Sequence, residues 1–149
     1  MALEPGTGDL NRHKVIDTAT ELHFSDGIPG FPGLTKFALT DIDEDVEDPA
    51  FQLLQSLEDP EIALVAAHPW LFVPEYAPEL AEIDQIELGT QKPEDAVVFC
   101  PVTIGDDEGQ VYINLLGPFV VNLTSNKGRQ IVPADSDWPV RTPVTVEYA

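Results

Sequence analysis

Three histidines, one cysteine and 27 carboxylates are the side chains here that could do chemistry. Metal catalysis needs ligands that converge. His13, His23 and His68 are scattered, and no two stand at the spacing that puts a pair of imidazoles on one helix face. A lone cysteine, Cys100, excludes the usual structural zinc sites and any intramolecular disulfide. Asp41-Ile42-Asp43-Glu44-Asp45 begins like a calcium loop, but Val46 stands where the sixth-position glycine belongs. Gln52 stands at the twelfth position, where a bidentate Glu is needed. Weak surface calcium binding is compatible with this stretch; an EF-hand is not. There is neither a Gly-x-Ser-x-Gly elbow nor a phosphate-cradling glycine loop. The expectation is a protein with no catalytic residues, no metal site and no cofactor.

Charge points the same way, toward binding. The formal net charge is −20, from 27 acids against 7 bases. Residues 41–109 hold 19 acids and one base, Lys92, which is −18 of that total. Nucleic acid and anionic lipid are bound by neutralising phosphates with Lys and Arg, so this chain should repel both. A basic protein would be drawn to it. No run approaches the ~18 apolar residues of a membrane span. Met1 to Lys14 has no apolar segment of the kind a secretory signal needs. With one cysteine, a reducing cytoplasm is the expected compartment.

The elements that must position any binding surface read as short strands between turns. Leu22, Phe24, Phe37 and Leu39 fall on alternating positions within short runs, the strand period. Phe51 to Leu57 and Ile62 to Ala67 are apolar runs joined by Glu58-Asp59-Pro60-Glu61, which reads as a hairpin. Ala96 to Ile104 is a further strand interrupted by Pro101, a sign of an edge or bulge. Gln110 to Leu123 is strand-like and broken at Gly117-Pro118. From Pro78 to Leu88, Leu80, Ile83, Ile86 and Leu88 approximate a helical repeat. Fourteen prolines suit many bends rather than long helices. The expected fold is an all-β, small antiparallel barrel-like domain with one short helix near 78–88. A loose N-terminus over 1–12, a β domain over 13–140 and a tail over 141–149 complete the expected organisation.

Two kinds of partner-binding candidate remain. Pro69-Trp70-Leu71-Phe72-Val73-Pro74-Glu75-Tyr76 concentrates aromatics as protein interfaces do, making Trp70, Leu71, Phe72 and Tyr76 apolar candidates. The alternative for this loop is closure of one end of the barrel. Asp41, Asp43, Glu44 and Asp45 are candidates for steering a basic partner. Asn114 and Asn122 suit fixing neighbouring turns better than touching a partner. Gly27-Ile28-Pro29-Gly30-Phe31 is a rigid bend, since glycine opens backbone angles that Pro29 then fixes.

That bend is the first of several blocks in a set order. Gln55-Ser56-Leu57-Glu58-Asp59-Pro60 follows, then the aromatic-proline loop and Glu94-Asp95 before a valine-rich strand. Asn114-Leu115-Leu116-Gly117-Pro118 and Lys127-Gly128-Arg129-Gln130 complete the series. Together they resemble the flagellar assembly factor FliW family, from about Leu22 to Val140. The family's N-terminal strand with its Phe-Gly is not recognisable here, and Arg12 to Thr20 stands in its place. The resemblance implies functional or structural weight on Ile28, Pro29, Gly30, Phe31, Gln55, Ser56, Asp59, Pro60, Asn114, Leu115, Pro118, Lys127, Gly128 and Gln130. It implies a cytoplasmic, non-enzymatic factor that binds flagellin and, once released, binds and antagonises the RNA-binding regulator CsrA, relieving repression of flagellin translation. Two rival readings stay open: an acidic mimic that blocks a nucleic-acid site on a basic protein, and a weak calcium-binding β domain.

Overall fold

The computed structural model describes residues 20–42, 50–90, 95–105, 110–135 and 137–145. Its strands are β1 (Leu22–His23), β2 (Lys36–Asp41), β3 (Phe51–Ser56), β4 (Ala63–Ala67) and β5 (Ala96–Ile104). They continue with β6 (Gln110–Ile113), β7 (Phe119–Asn122), β8 (Gly128–Gln130) and β9 (Thr142–Thr145). Among the described residues one α-helix, α1, spans Glu82–Leu88, and a 3-10 turn spans Pro69–Leu71. These strands pair with one another antiparallel throughout the described residues.

Among the described residues the sheet is not closed into the expected barrel. β1 to β5 follow one another edge to edge, and then the sheet forks. The first half of β5, Ala96 to Phe99, pairs with β7, while Val102 to Ile104 pair with β6. Pro101 stands at the change of partner, where a strand residue without an N–H is tolerated. One branch continues to β8 and the other to β9. Strand β1 is only two residues long, and a single parallel bridge, His23 to Lys127, links it to the turn before β8.

Two cores follow from strand alternation. On β5, Ala96, Val98 and Cys100 face one cluster, which includes Tyr76, Leu88, Ile113 and Leu115. Val97 and Phe99 face the other, built on Leu22, Phe24, Phe37, Leu39, Leu54 and Phe119. Successive side chains point to opposite faces, so a strand buried on both reads as a continuous apolar run. Phe24 meets Phe37 and Phe119 edge to face, with centroids 5.6 and 5.9 Å apart. Cys100 is fully buried and its thiol is pushed up to about 12, by burial above all. Its role is that of a small apolar side chain rather than a nucleophile.

Two further differences from the sequence reading stand out. The helix begins at Glu82, because Glu79 is held in a loop contact: its carbonyl accepts from Ala134 N–H at 2.8 Å. The supposed tail contributes β9, paired with β6, with the Arg141 guanidinium 4.0 Å above the Tyr112 ring.

The predicted bend between Phe24 and Phe31 is a run of turns. Gly27 N–H donates to Phe24 O, Phe31 N–H to Ile28 O, and Leu34 N–H to Phe31 O. Pro29-Gly30 and Pro32-Gly33 occupy the central positions of the last two, with φ of 94° at Gly30 and 85° at Gly33. Proline then glycine is the type II turn preference. Gly30 is exposed, and a Cβ there meets nothing within 4 Å. Gly30→Val is therefore expected to cost about 1–2 kcal/mol through backbone strain alone. Thermal denaturation checks this; an unchanged melting temperature with lost partner binding would make the bend a contact site instead.

Candidate functional site

The family-motif residues divide into a turn that holds itself together and a group that converges on a groove. In the first, Gln55 Nε2 donates to Ser56, Pro60 and Ile62 carbonyls at 3.1, 3.3 and 2.9 Å. Ser56 Oγ accepts from the Glu58 and Asp59 N–H groups, and Asp59 Oδ1 accepts from Glu61 N–H. Glu58 reaches back to accept from Thr35 and Lys36 N–H at 2.7 and 3.0 Å, and these bonds hold its carboxyl below the usual range. Backbone demand accounts for these side chains at the β3–β4 turn.

The other blocks meet. Pro29 from the bend, Leu116 and Gly117 from the loop between β6 and β7, Gln130 at the end of β8, and Ile131 and Val132 just after it line one mainly apolar groove of about 340 Å³. Asn114 shapes its loop: Oδ1 accepts from the Leu116 and Gly117 N–H groups, both at 2.9 Å. Gln130 Nε2 donates to Gly117 O at 2.8 Å, tying the two walls together. Val132 and Val140, 63% and 54% exposed, form an apolar rim. Leu115 lies buried beneath, and Tyr76 OH donates to its carbonyl at 2.6 Å. Ile28 is buried, Phe31 packs on the aromatic core, and Pro118 is buried, its carbonyl accepting from Ile131 N–H. Gly128 leaves room for Phe24, whose ring a Cβ would approach to 2.7 Å.

The aromatic loop divides differently from expectation. Tyr76 is fully buried, so it supports the groove from below and is not a surface contact. Trp70 and Phe72 are half-buried against the same core, and Phe72 stacks obliquely on Phe51. Leu71 is the exposed member of the four, at 61%. Of the acidic candidates, Asp43, Glu44 and Asp45 lie outside the described residues. Asp41 is partly committed: Gln52 Nε2 donates to its Oδ1, and His68 Nε2 lies 2.8 Å from Gln52 Oε1. An amide oxygen only accepts, so the proton sits on His68 Nε2. Burial lowers the His68 pKa and keeps the ring neutral.

Arg129 was not singled out from the sequence, yet it joins three elements. Its Nη1 lies 2.7 Å from Asp26 Oδ2 in the bend, and its Nε lies 3.1 Å from Asp84 Oδ1 on α1. Asp84 is nearly buried, and its carboxyl is pushed up by that burial, pulled down by Arg129 and raised again by Glu87. The scarcity of bases in so acidic a chain was the available signal. Among the described residues, no three His, Cys, Asp or Glu side chains are grouped to hold a metal. Nor is any helix long and apolar enough to cross a membrane.

A model of the family described as FliW protein matches residues 7–144. The flagellar assembly factor FliW of Moorella thermoacetica is 39% identical over 127 residues, covering 85% of this chain and 78% of that protein. Its counterpart in Clostridium botulinum is 36% identical over 121 residues, covering 81% and 84%. That of Treponema pallidum is 32% identical over 144 residues, covering 97% and 89%. A crystal structure of the flagellar assembly factor FliW superposes with a TM-score of 0.76 over 94% of this chain and 98% of that one. The two are 22% identical in sequence, so this likeness speaks for the fold.

Proposed function

The chain belongs to the FliW protein family of non-enzymatic flagellar assembly factors, and from that premise we propose that it is a cytoplasmic partner-switching protein. It holds flagellin before export. When flagellin leaves, the freed protein binds the RNA-binding regulator CsrA and lifts its repression of flagellin translation. The observation that carries this reading is the convergence of three motif blocks on one apolar groove. Such a groove suits the apolar face of a helix from a terminal region of flagellin. The net charge of −20 suits the second partner, because an acidic protein beside a basic RNA-binding surface weakens RNA binding by repulsion.

Calorimetry with purified flagellin and purified CsrA tests this. Wild-type protein should bind each. Val132→Glu should weaken flagellin binding at least about tenfold, since one buried apolar side chain is worth about 1.5–3 kcal/mol. Fold stability should be unchanged, because Val132 is exposed. Undiminished flagellin binding by the variant would exclude the groove as its seat. Failure of the wild type to bind flagellin would overturn the reading itself. Salt should weaken CsrA association strongly and flagellin binding little, since exposed charges are screened over about 10 Å at 0.1 M. Neutralising Asp43, Glu44 and Asp45, with Asp41 left to hold Gln52, should reduce the CsrA on-rate and its salt slope.

A further inference from the structure

Helix α1 turns its polar side inward. Asp84 and Gln85 are buried, the first against Arg129, the second with its Nε2 donating to Leu80 O at 2.9 Å. Ile83 and Ile86 face solvent instead, 56% and 66% exposed. They lie one helical turn apart on the same face, flanked by exposed Glu82 and Glu87. A single exposed isoleucine is ordinary. Here a short helix buries a carboxylate and an amide while leaving both of its isoleucines outside, which forgoes apolar burial.

Beside this face lies a cleft of about 310 Å³, lined by Asp26, Pro29, Glu87, Arg129 and Gln130. Asp26 and Asp84 pair with the one guanidinium, Arg129, and a third carboxylate, Glu87, lines the same cleft. Negative charge is in surplus there, and residues 71–90 contain no lysine or arginine to offset it. An additional cation is the missing complement.

We propose that the outer face of α1 is a docking surface for a protein segment that presents apolar side chains next to a lysine or arginine. The apolar groups cover Ile83 and Ile86, and the cation enters the cleft beside Asp26 and Glu87. The carboxylates disfavour nucleic acid and anionic lipid as occupants, since both would bring phosphate to this surplus. Naming CsrA as the partner that supplies the segment rests on the function proposed above; the chemistry of the surface does not.

Two arms separate those claims. In the first, a synthetic helical peptide of leucine and lysine is titrated into labelled protein and followed by amide chemical shifts. Shifts centred on residues 82–87, and their loss in Ile83→Ser/Ile86→Ser, are the expected result. Shifts centred elsewhere, or equal binding by the double variant, would overturn the surface. In the second, CsrA and flagellin are each titrated into wild type, the double variant and Glu87→Gln. CsrA binding should fall at least about tenfold in the double variant. The fall should be smaller in Glu87→Gln, and flagellin binding should persist in both. Unchanged CsrA affinity in the double variant overturns the assignment of this face to CsrA while leaving the proposed function standing. A wild type that binds neither protein overturns that function, and the peptide arm still decides the surface. Both isoleucines are already in water, so the double variant should keep its melting temperature.

Discussion

Gly128→Val is expected to destabilise the protein by about 3 kcal/mol, the upper part of the range for overpacking. A Cβ at this position would lie 2.7 Å from Phe24 Cζ and 2.9 Å from both Cε atoms. The ring cannot swing aside, because it is fully buried and packed edge to face on Phe37 and Phe119. Nor can the backbone retreat easily, since Val121 pairs with Gly128 in the ladder and His23 N–H donates to Asn126 O. Chemical denaturation would measure the loss. A double-mutant cycle identifies its cause. Phe24→Leu shortens the ring, so Phe24→Leu with Gly128→Ala should cost less than the two single changes summed, by about 1 kcal/mol. Strict additivity would mean that something other than the ring excludes a side chain here.

Arg129→Met should cost about 3 kcal/mol at neutral pH, near the low end for one partner of a buried ion pair because Arg129 itself keeps 28% exposure. The exposed pairing with Asp26 adds little to this. The main cost is Asp84, left as a carboxylate with 9% side-chain exposure and no cation beside it. The pH dependence is diagnostic. Asp84 already has its pKa raised above the ordinary 3.8, by burial first, and removing Arg129 removes the influence that lowers it. An acid whose folded pKa is raised holds its proton more tightly when folded, so its ionisation costs stability as pH rises from 3.8 through the folded value. The deficit of Arg129→Met should therefore be full at neutral pH and shrink as pH falls through that window. Adding Asp84→Asn should recover much of the loss and flatten the profile, because a neutral amide is cheaper to bury than an unpaired charge. A deficit independent of pH would show that Arg129 matters through its packed stem and not its charge.

Local features of this fold were legible in the sequence because local chemistry determines them. The Asp-Pro hairpin, the Pro-Gly bend and the Asn114 turn each draw their hydrogen bonds from residues a few positions away. Pairing partners were less accessible. The run Ala96 to Ile104 announces a strand, but nothing within it says that its two halves meet different neighbours, and the barrel expectation failed at that fork. The strand after Arg141 was hidden by Pro143, which an edge strand tolerates. The helical repeat over Leu80 to Leu88 announced a helix but misplaced its buried side, since Ile83 and Ile86 face solvent. Periodicity reports that one face differs from another; burial of Asp84 depends on Arg129, which is distant in sequence. For the groove, the order of the motif blocks was readable and their convergence was not. Tyr76 looked like an interface aromatic because composition cannot tell a ring on the surface from one just below it.

The contacts that join Phe24, His23 and Asp26 to the β8 region also fix when this protein can become itself. Arg129 and Asp26 are 103 residues apart, so their ends must find each other across most of the chain. Closing so long a loop comes late and slows folding. A chain still emerging from the ribosome has its bend and the first four strands, its hairpin among them. It lacks the ring socket at Gly128, the guanidinium that fastens the bend to α1, and the Val132 and Val140 rim. Synthesis of residues 128–140, rather than gradual growth, completes the groove, so competence to bind arrives as a single late event.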